Sequence, residues 1–269
     1  MSGSSQVMLK TSFWTNVFVV GGVVFLALVF YLGAIHLPNS DPEKTVSLSS
    51  NKGGGGMGGV LRMDEQIYPH LLEFGGARVW YQEKVPPNPK CDVLLLHGQA
   101  FISQTWVDLG TVDKLADAGC RVVGLDLPGY GKSWMAARGQ DPIKPPGFLH
   151  KFIIAAKLNK PFIVSPSMSG SFSLSHLMEH PDDISGFIPI APVDTQKYKD
   201  EDYKKVKTPT LIIYGEEDKS LGVQSYERLK NLPNSQVHVL PKAKHPCYLD
   251  QPDMFHHLVT EFIQRNTKD

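Results

Sequence analysis

Cysteine is scarce in this chain of 269 residues: Cys91, Cys120 and Cys247 are all there is. An odd count of three permits one internal bridge at most, which excludes a fold built on disulfides. Net charge is missing too. The 27 basic side chains are matched by 27 acidic ones. There is no basic stripe, zinc-finger spacing or arginine-rich tail, which excludes nucleic acid as a partner. No Asn-x-Ser/Thr acceptor occurs, so glycosylation gives no clue to compartment. The glycine tract Asn51 to Gly59 has neither the preceding strand nor the Gly-Lys-Ser/Thr ending of a phosphate loop. It reads as the end of a flexible stem over 38–59.

One long apolar run is present. Val17 to Ile35 carries no charge and approaches the ~20 residues that a bilayer-spanning helix needs. Trp14 and Tyr31 lie near its ends, where interfacial aromatics are favoured. A cleaved signal peptide has an apolar region of only ~7–15 residues and ends at a small-x-small site. A cut after Ala34 would put Leu32 at the −3 position, a poor fit. The sequence therefore predicts a short tail over 1–16 and an uncleaved signal-anchor helix over 17–37. Lys10 on one side and Lys44 and Lys52 on the other leave the charge bias that orients such helices almost flat.

A globular domain is expected over 60–269. Arg78 to Val85 alternates as an antiparallel edge strand does. Short apolar runs follow: Val93 to Leu96, Val122 to Leu125, Phe162 to Val164, Phe187 to Ile190, Leu211 to Tyr214 and Val237 to Leu240. Such runs suit strands buried on both faces of a parallel sheet. Helix-compatible segments alternate with them: Thr105 to Ala118, Phe148 to Leu158, Met168 to His180, Val223 to Leu229 and Met254 to Arg265. The alternation predicts a doubly wound, mostly parallel α/β sheet. Ligands of such sheets collect at the C-terminal strand ends, so those ends are where chemistry is sought.

Five strand ends carry unusual residues. Leu96 runs into His97-Gly98-Gln99-Ala100, and Leu125 into Asp126-Leu127-Pro128-Gly129-Tyr130-Gly131-Lys132-Ser133. Val164 runs into Ser165-Pro166-Ser167-Met168-Ser169-Gly170. That is the layout of a nucleophile elbow, with serines where glycines usually flank the central serine. Tyr214 leads to Gly215-Glu216-Glu217-Asp218, and Leu240 to a loop holding His245.

Together these motifs resemble the α/β-hydrolase family, whose partners follow in the chain order Ser, Asp or Glu, then His. The resemblance spans about Leu94 to Phe262. The serine-flanked elbow, the phrase His245-Pro246-Cys247-Tyr248-Leu249-Asp250 and the anchor look like one small branch, the domain-containing-14 proteins. That resemblance implies a single-pass type II membrane serine hydrolase. For the anchor-free form of the branch it implies acyl-lysine deacylation, with coenzyme A as acyl acceptor. No metal or redox cofactor is implied.

Ser167 is the expected nucleophile, with Ser169 as the rival hydroxyl. A serine needs a base within hydrogen-bond reach, and His245 is the one histidine in a loop after the last strand. Asp218 is expected to orient the imidazole, with Asp194 as the alternative acid; Asp126 and His97 are read as structural. Backbone N–H groups of Met168 and of Gln99 or Ala100 are expected to form the oxyanion hole. Cys247 is read as a small buried side chain. Cys91 and Cys120 stand just before two strands expected to be neighbours, so a bridge between them is expected, suiting a lumenal or extracellular domain. Only about fifteen residues separate Ala191 from Val206, too few for a helical cap domain, which predicts an open, shallow site. The charged residues from Lys197 to Lys207 read as a solvated face. The leading reading is a membrane-anchored serine hydrolase or acyltransferase acting on a small acyl-bearing substrate: a short-chain ester, thioester or acyl-amide. The competing reading is a non-catalytic binding module of the same fold tethered to a membrane.

Overall fold

The computed structural model describes residues 66–74, 77–138 and 145–267, together with Val19–Val20 and Val23–Val24. Contacts divide the chain into two units, Met1–Met57 and Gly58–Asp269. In the first, Val19–Val20 pairs antiparallel with Val23–Val24. This differs from the helix expected there, and β-branched valines around Gly21-Gly22 do favour strand and turn. The rest of the expected span over 17–37, and the stem over 38–59, lie outside the described residues. Among the described residues no helix is long and apolar enough to cross a membrane.

The second unit is built on eight strands: β1 (Tyr68–Phe74), β2 (Ala77–Lys84), β3 (Cys91–Leu95), β4 (Cys120–Leu125), β5 (Phe162–Pro166), β6 (Gly186–Ile190), β7 (Thr210–Gly215) and β8 (Ser235–Leu240). Their order across the sheet is β8-β7-β6-β5-β3-β4-β2-β1. From β8 to β4 all pairings are parallel; β1 and β2 are added antiparallel. Two expectations change. Ala77–Lys84 is not the edge strand, because Tyr68–Phe74 pairs outside it. Val237 and Val239 are exposed rather than core, because β8 is the opposite edge.

The apolar runs sort by period two, as a sheet covered on both faces requires. Leu94, Val123, Ile163, Phe187 and Ile212 point into one core with Phe148 and Phe152 of α3 (Pro145–Ala155) and Leu174 and Leu177 of α4 (Gly170–Glu179). Val93, Leu95, Val122, Val164, Ile188 and Ile213 point into the other. There they meet Trp106 of α1 (Gln104–Asp108), Leu115 of α2 (Thr111–Asp117) and Phe255 and Val259 of α8 (Pro252–Asn266). The helix expected over Thr105 to Ala118 is two helices, because Gly110 at φ 77° takes the left-handed conformation that ends α1.

The connection from β6 to β7 holds only a 3₁₀ turn, Thr195–Lys197, and the four-residue α5 (Asp200–Tyr203). Tyr203 is buried there and its hydroxyl donates to the Thr195 carbonyl. Between β7 and β8 lies α6 (Leu221–Leu229), and a short α7 (Cys247–Asp250) precedes α8. The chain reverses direction across the sheet at β3: β4 lies on one side and β5 on the other. The C-terminal ends of β3 and β5 flank that topological switch point, the place where open α/β sheets bind ligands.

Candidate active site

β5 ends at Pro166, and the backbone turns at once through a 3₁₀ turn, Ser167–Ser169, into α4. Ser167 sits at φ 51°, a strained conformation for a residue with a Cβ, and such strain gathers at functional turns. The rival hydroxyl is differently placed. Ser169 is fully buried and donates to the Pro166 carbonyl at 2.7 Å. Its single proton is thereby used. At 2.9 Å Ser165 Oγ therefore donates to Ser169 Oγ, and Ser173 continues the chain at 2.6 Å. The two serines that stand in for the usual glycines are thus bonded to each other across the turn. Gly170 serves close packing instead, because a Cβ there would lie 2.6 Å from the Val193 carbonyl. The loop after β6 packs against the turn at that point, with the Val193 N–H donating to the Ser167 carbonyl.

His245 comes from the loop after β8. Its Nε2 lies 2.9 Å from Ser167 Oγ, and its Nδ1 lies 2.6 Å from Asp218 Oδ2. Asp218 is buried, follows β7, and also accepts from the Ser220 hydroxyl at 3.1 Å. Burial pushes its carboxyl upward, but bonds from His245, the Gly222 N–H and Ser220 outweigh it and hold the group below its ordinary value. Gly222 leaves room for the carboxylate, since a Cβ there would meet the Asp218 side chain at 2.9–3.0 Å. With Nδ1 facing a carboxylate, the imidazole carries its proton on Nδ1 and leaves Nε2 to accept from the serine. The structure thus brings together the three side chains picked from sequence, from positions 78 and 27 residues apart.

The alternative acid is elsewhere: Asp194 pairs with Lys197 at 2.7 Å. Lys205 likewise pairs with Asp202, and Arg228 with Asp200, so much of the charged connection neutralises itself at the surface. Gln99 and Ala100 are exposed at the tip of a turn closed by the Phe101 N–H on the Gly98 carbonyl. A Cβ on Gly98 would lie 3.7 Å from Ser167 Cβ, so this turn borders the serine.

The remaining motif residues hold the frame. His97 is buried; its Nε2 accepts from the Leu127 N–H at 3.0 Å, so its Nδ1 donates to the Gly98 carbonyl at 2.9 Å. Burial is the main reason its imidazole is pushed below the ordinary value, which keeps it neutral. Asp126 accepts from the N–H groups of Ser103 and Lys132. It fills the space where Gly131 (φ 48°) would otherwise carry a Cβ, 2.2 Å from Asp126 Oδ2. Cys247 is buried and free, its thiol pushed up to about 12, chiefly by burial. Cys91 and Cys120 are paired in register on β3 and β4 and joined by a disulfide. Ser173, Ser220 and Gly222 carry no mark in the sequence; only proximity in the fold reveals what they support.

A cavity of about 440 Å³ lies elsewhere, lined by Gln196, Asp200, Gln224, Glu227, Arg228 and Lys230. It contains none of the three linked side chains, and its four charged residues pair with one another, Arg228 with Asp200 and Lys230 with Glu227.

No family model matches the chain. It is 41% identical over 198 residues to ABHD14B of Rattus norvegicus, which is named a putative protein-lysine deacylase, covering 72% of this chain and 94% of that protein. It is 40% identical over 191 residues to ABHD14A of Homo sapiens, covering 70% of each. Among solved structures it resembles a predicted CIB-like hydrolase from Thermoplasma acidophilum. The TM-score is 0.67 at 22% identity, over 74% of this chain and 99% of that one. It also resembles the carboxylesterase CesB from Bacillus subtilis, with a TM-score of 0.61 at 15% identity, over 74% and 92%. These structural likenesses concern the fold; the sequence likeness carries the family. The chain belongs to the ABHD14 family of α/β-hydrolases.

Proposed function

We propose that this protein is a serine acyl hydrolase in which Ser167 attacks, His245 moves the proton and Asp218 orients the imidazole. The observation that carries the reading is the unbroken series from Ser167 Oγ to His245 Nε2 (2.9 Å) and from His245 Nδ1 to Asp218 Oδ2 (2.6 Å). As Ser167 Oγ bonds to the acyl carbon, its proton passes to Nε2, and Asp218 stabilises the imidazolium so formed. The carbonyl oxygen becomes an oxyanion, received by the Met168 N–H and by an N–H of Gln99 or Ala100. Collapse breaks the bond to the leaving group, which takes the proton from His245 and departs. An acyl-serine remains. Water then gives a proton to His245 and bonds to the acyl carbon; the bond to Ser167 Oγ breaks, His245 returns the proton to that oxygen, and the carboxylic acid departs.

The substrate class proposed is a short acyl group on an ester, a thioester or a lysine amide. The amide follows from the name of ABHD14B, and the short acyl from a β6–β7 connection without a helical lid. The acceptor is open to two chemistries. The thiol of coenzyme A would take the acyl group in place of water, as the resemblance implies. The Cys91–Cys120 disulfide favours an oxidising compartment, away from the cytosolic coenzyme A pool. Water is therefore the proposed acceptor.

A fluorophosphonate probe tests the assignment. The intact protein is expected to form one covalent adduct, and Ser167→Ala to form none. An unlabelled wild type, or equal labelling of the variant, overturns it.

A further inference from the structure

Away from Ser167, three imidazoles gather where α3 passes the C-terminal end of α4. His176 and His180 are four residues apart, one in the last turn of α4 and the other at its C-terminal cap. His150 comes from α3, and Asp183 from the 3₁₀ turn Pro181–Asp183. The Nδ1 atoms of His150 and His180 approach the same oxygen, Asp183 Oδ2, at 3.1 and 3.7 Å. Their rings stack at 3.9 Å and 11°. Behind them lies His176, its ring centroid 5.4 Å from His180 and 6.2 Å from His150. His176 is only 2% exposed, and neither ring nitrogen has a hydrogen-bond partner. Buried polar atoms are nearly always paired, so this one calls for a partner.

A histidine–aspartate ion pair accounts for part of this arrangement. One carboxylate neutralises one imidazolium, and two imidazolium ions stacked at this distance would repel. Burial first, and then the neighbouring His180, push His176 down to about 4.

We propose that His150, His180 and Asp183 form a binding site for one zinc-class divalent cation, with His176 as the buried imidazole that closes it from behind. Bonds of ~2.0–2.1 Å in tetrahedral geometry put neighbouring donor atoms ~3.3 Å apart. The 3.1 and 3.7 Å separations bracket that edge. Imidazole with a single carboxylate suits zinc and its neighbours better than calcium or magnesium, which take oxygen-rich sets. Parallel rings do not aim two lone pairs at one point, so binding turns one ring and ends the stack. His150 and His180 are each about one-third exposed (33% and 32%), which gives them room to turn. An ion held there would join α3 to the end of α4 remote from the Ser167 turn. It would stabilise the domain by binding the folded state alone.

Isothermal titration of the full chain with zinc chloride, paired with thermal melts, tests this. One equivalent is expected to bind and to raise the melting temperature. His180→Ala and Asp183→Ala should weaken binding more than ~10-fold and abolish the thermal shift, while His245→Ala keeps both. His150→Gln, on the partly exposed side of α3, supplies the same comparison if the α4 variant fails to fold. Three results overturn the site: no zinc binding by the wild type, binding that survives loss of both His150 and His180, or binding that vanishes with His245→Ala.

Discussion

The α-carbon of Gly215 faces the carbonyl of Lys244 so closely that a Cβ would stand 2.2 Å from that oxygen, and 2.3 Å from the carbonyl of Ala243. The end of β7, which leads to Asp218, therefore lies directly against the loop that leads to His245. The Glu217 N–H donates to Ala243, and the Lys242 N–H to Glu216, so the two segments are laced together. This is a glycine chosen for close approach of backbone, not for a left-handed turn.

Gly215→Ala must push the histidine loop away. Overpacking of this kind costs about 1–3 kcal/mol, and a displacement of the base by ~1 Å can cost ~10²-fold in rate. The expected outcome is a protein still folded at the assay temperature whose fluorophosphonate labelling is strongly slowed. Wild-type labelling in a folded variant would show that the loop does not need this contact.

Ser169→Ala separates the two hydroxyls of the elbow. It removes the acceptor of the buried Ser165 hydroxyl, and an unsatisfied buried group costs about 1–3 kcal/mol. A lower urea midpoint with labelling retained at Ser167 is expected. Loss of the adduct in a folded Ser169→Ala protein, with labelling kept in Ser167→Ala, would reverse their roles.

Asp218→Asn should slow acylation by up to ~10⁴ by favouring the wrong imidazole tautomer, whereas Asp194→Asn, remote from His245, should be mild. The same substitution has a pH signature. The Asp218 carboxyl is held below its ordinary value in the fold. Its stabilising contribution is therefore full above the unfolded value of ~3.9 and is lost as pH falls through the lower folded value. Urea midpoints of wild type and Asp218→Asn should differ most above pH ~4 and converge below it. A gap constant down to strong acid would contradict the assignment.

The Cys91–Cys120 bridge closes a separation of 29 residues. Chain-entropy arguments give such a loop about 3–4 kcal/mol. Reduction, or Cys91→Ser with Cys120→Ser, should lower the denaturant midpoint accordingly. Thiol titration of the unreduced protein should find none reactive when native and one, Cys247, when unfolded. Three free thiols in material from an oxidising compartment would count against the bridge.

Much of the sheet was legible because its signal is local. Apolar runs such as Val122 to Leu125 and Leu211 to Tyr214 alternate faces within a few residues, and glycine or proline punctuates their ends. The edges were not legible. Tyr68–Phe74 alternates half-buried with exposed positions, and Val237 and Val239 look like core residues until the neighbours of β8 are known. Edge status is a property of the sheet, not of the strand.

Strand ends, together with the chain order of the family their motifs resemble, singled out Ser167, Asp218 and His245, since each motif is short and sits where a parallel sheet gathers its ligands. They left two hydroxyls and two acids in competition. The choice between them depends on direction and burial: Ser169 turns inward onto the Pro166 carbonyl, and Asp194 turns outward to Lys197. The same holds for the histidines on the far end of α4. In the sequence they are ordinary helical residues; folding brings His150 from another helix and aligns two nitrogens on one carboxylate oxygen. Local periodicity determined which elements form and in what order. Only long-range packing decided which polar atoms meet, because hydrogen bonds and metal sites require ångström-scale convergence of groups far apart in the chain.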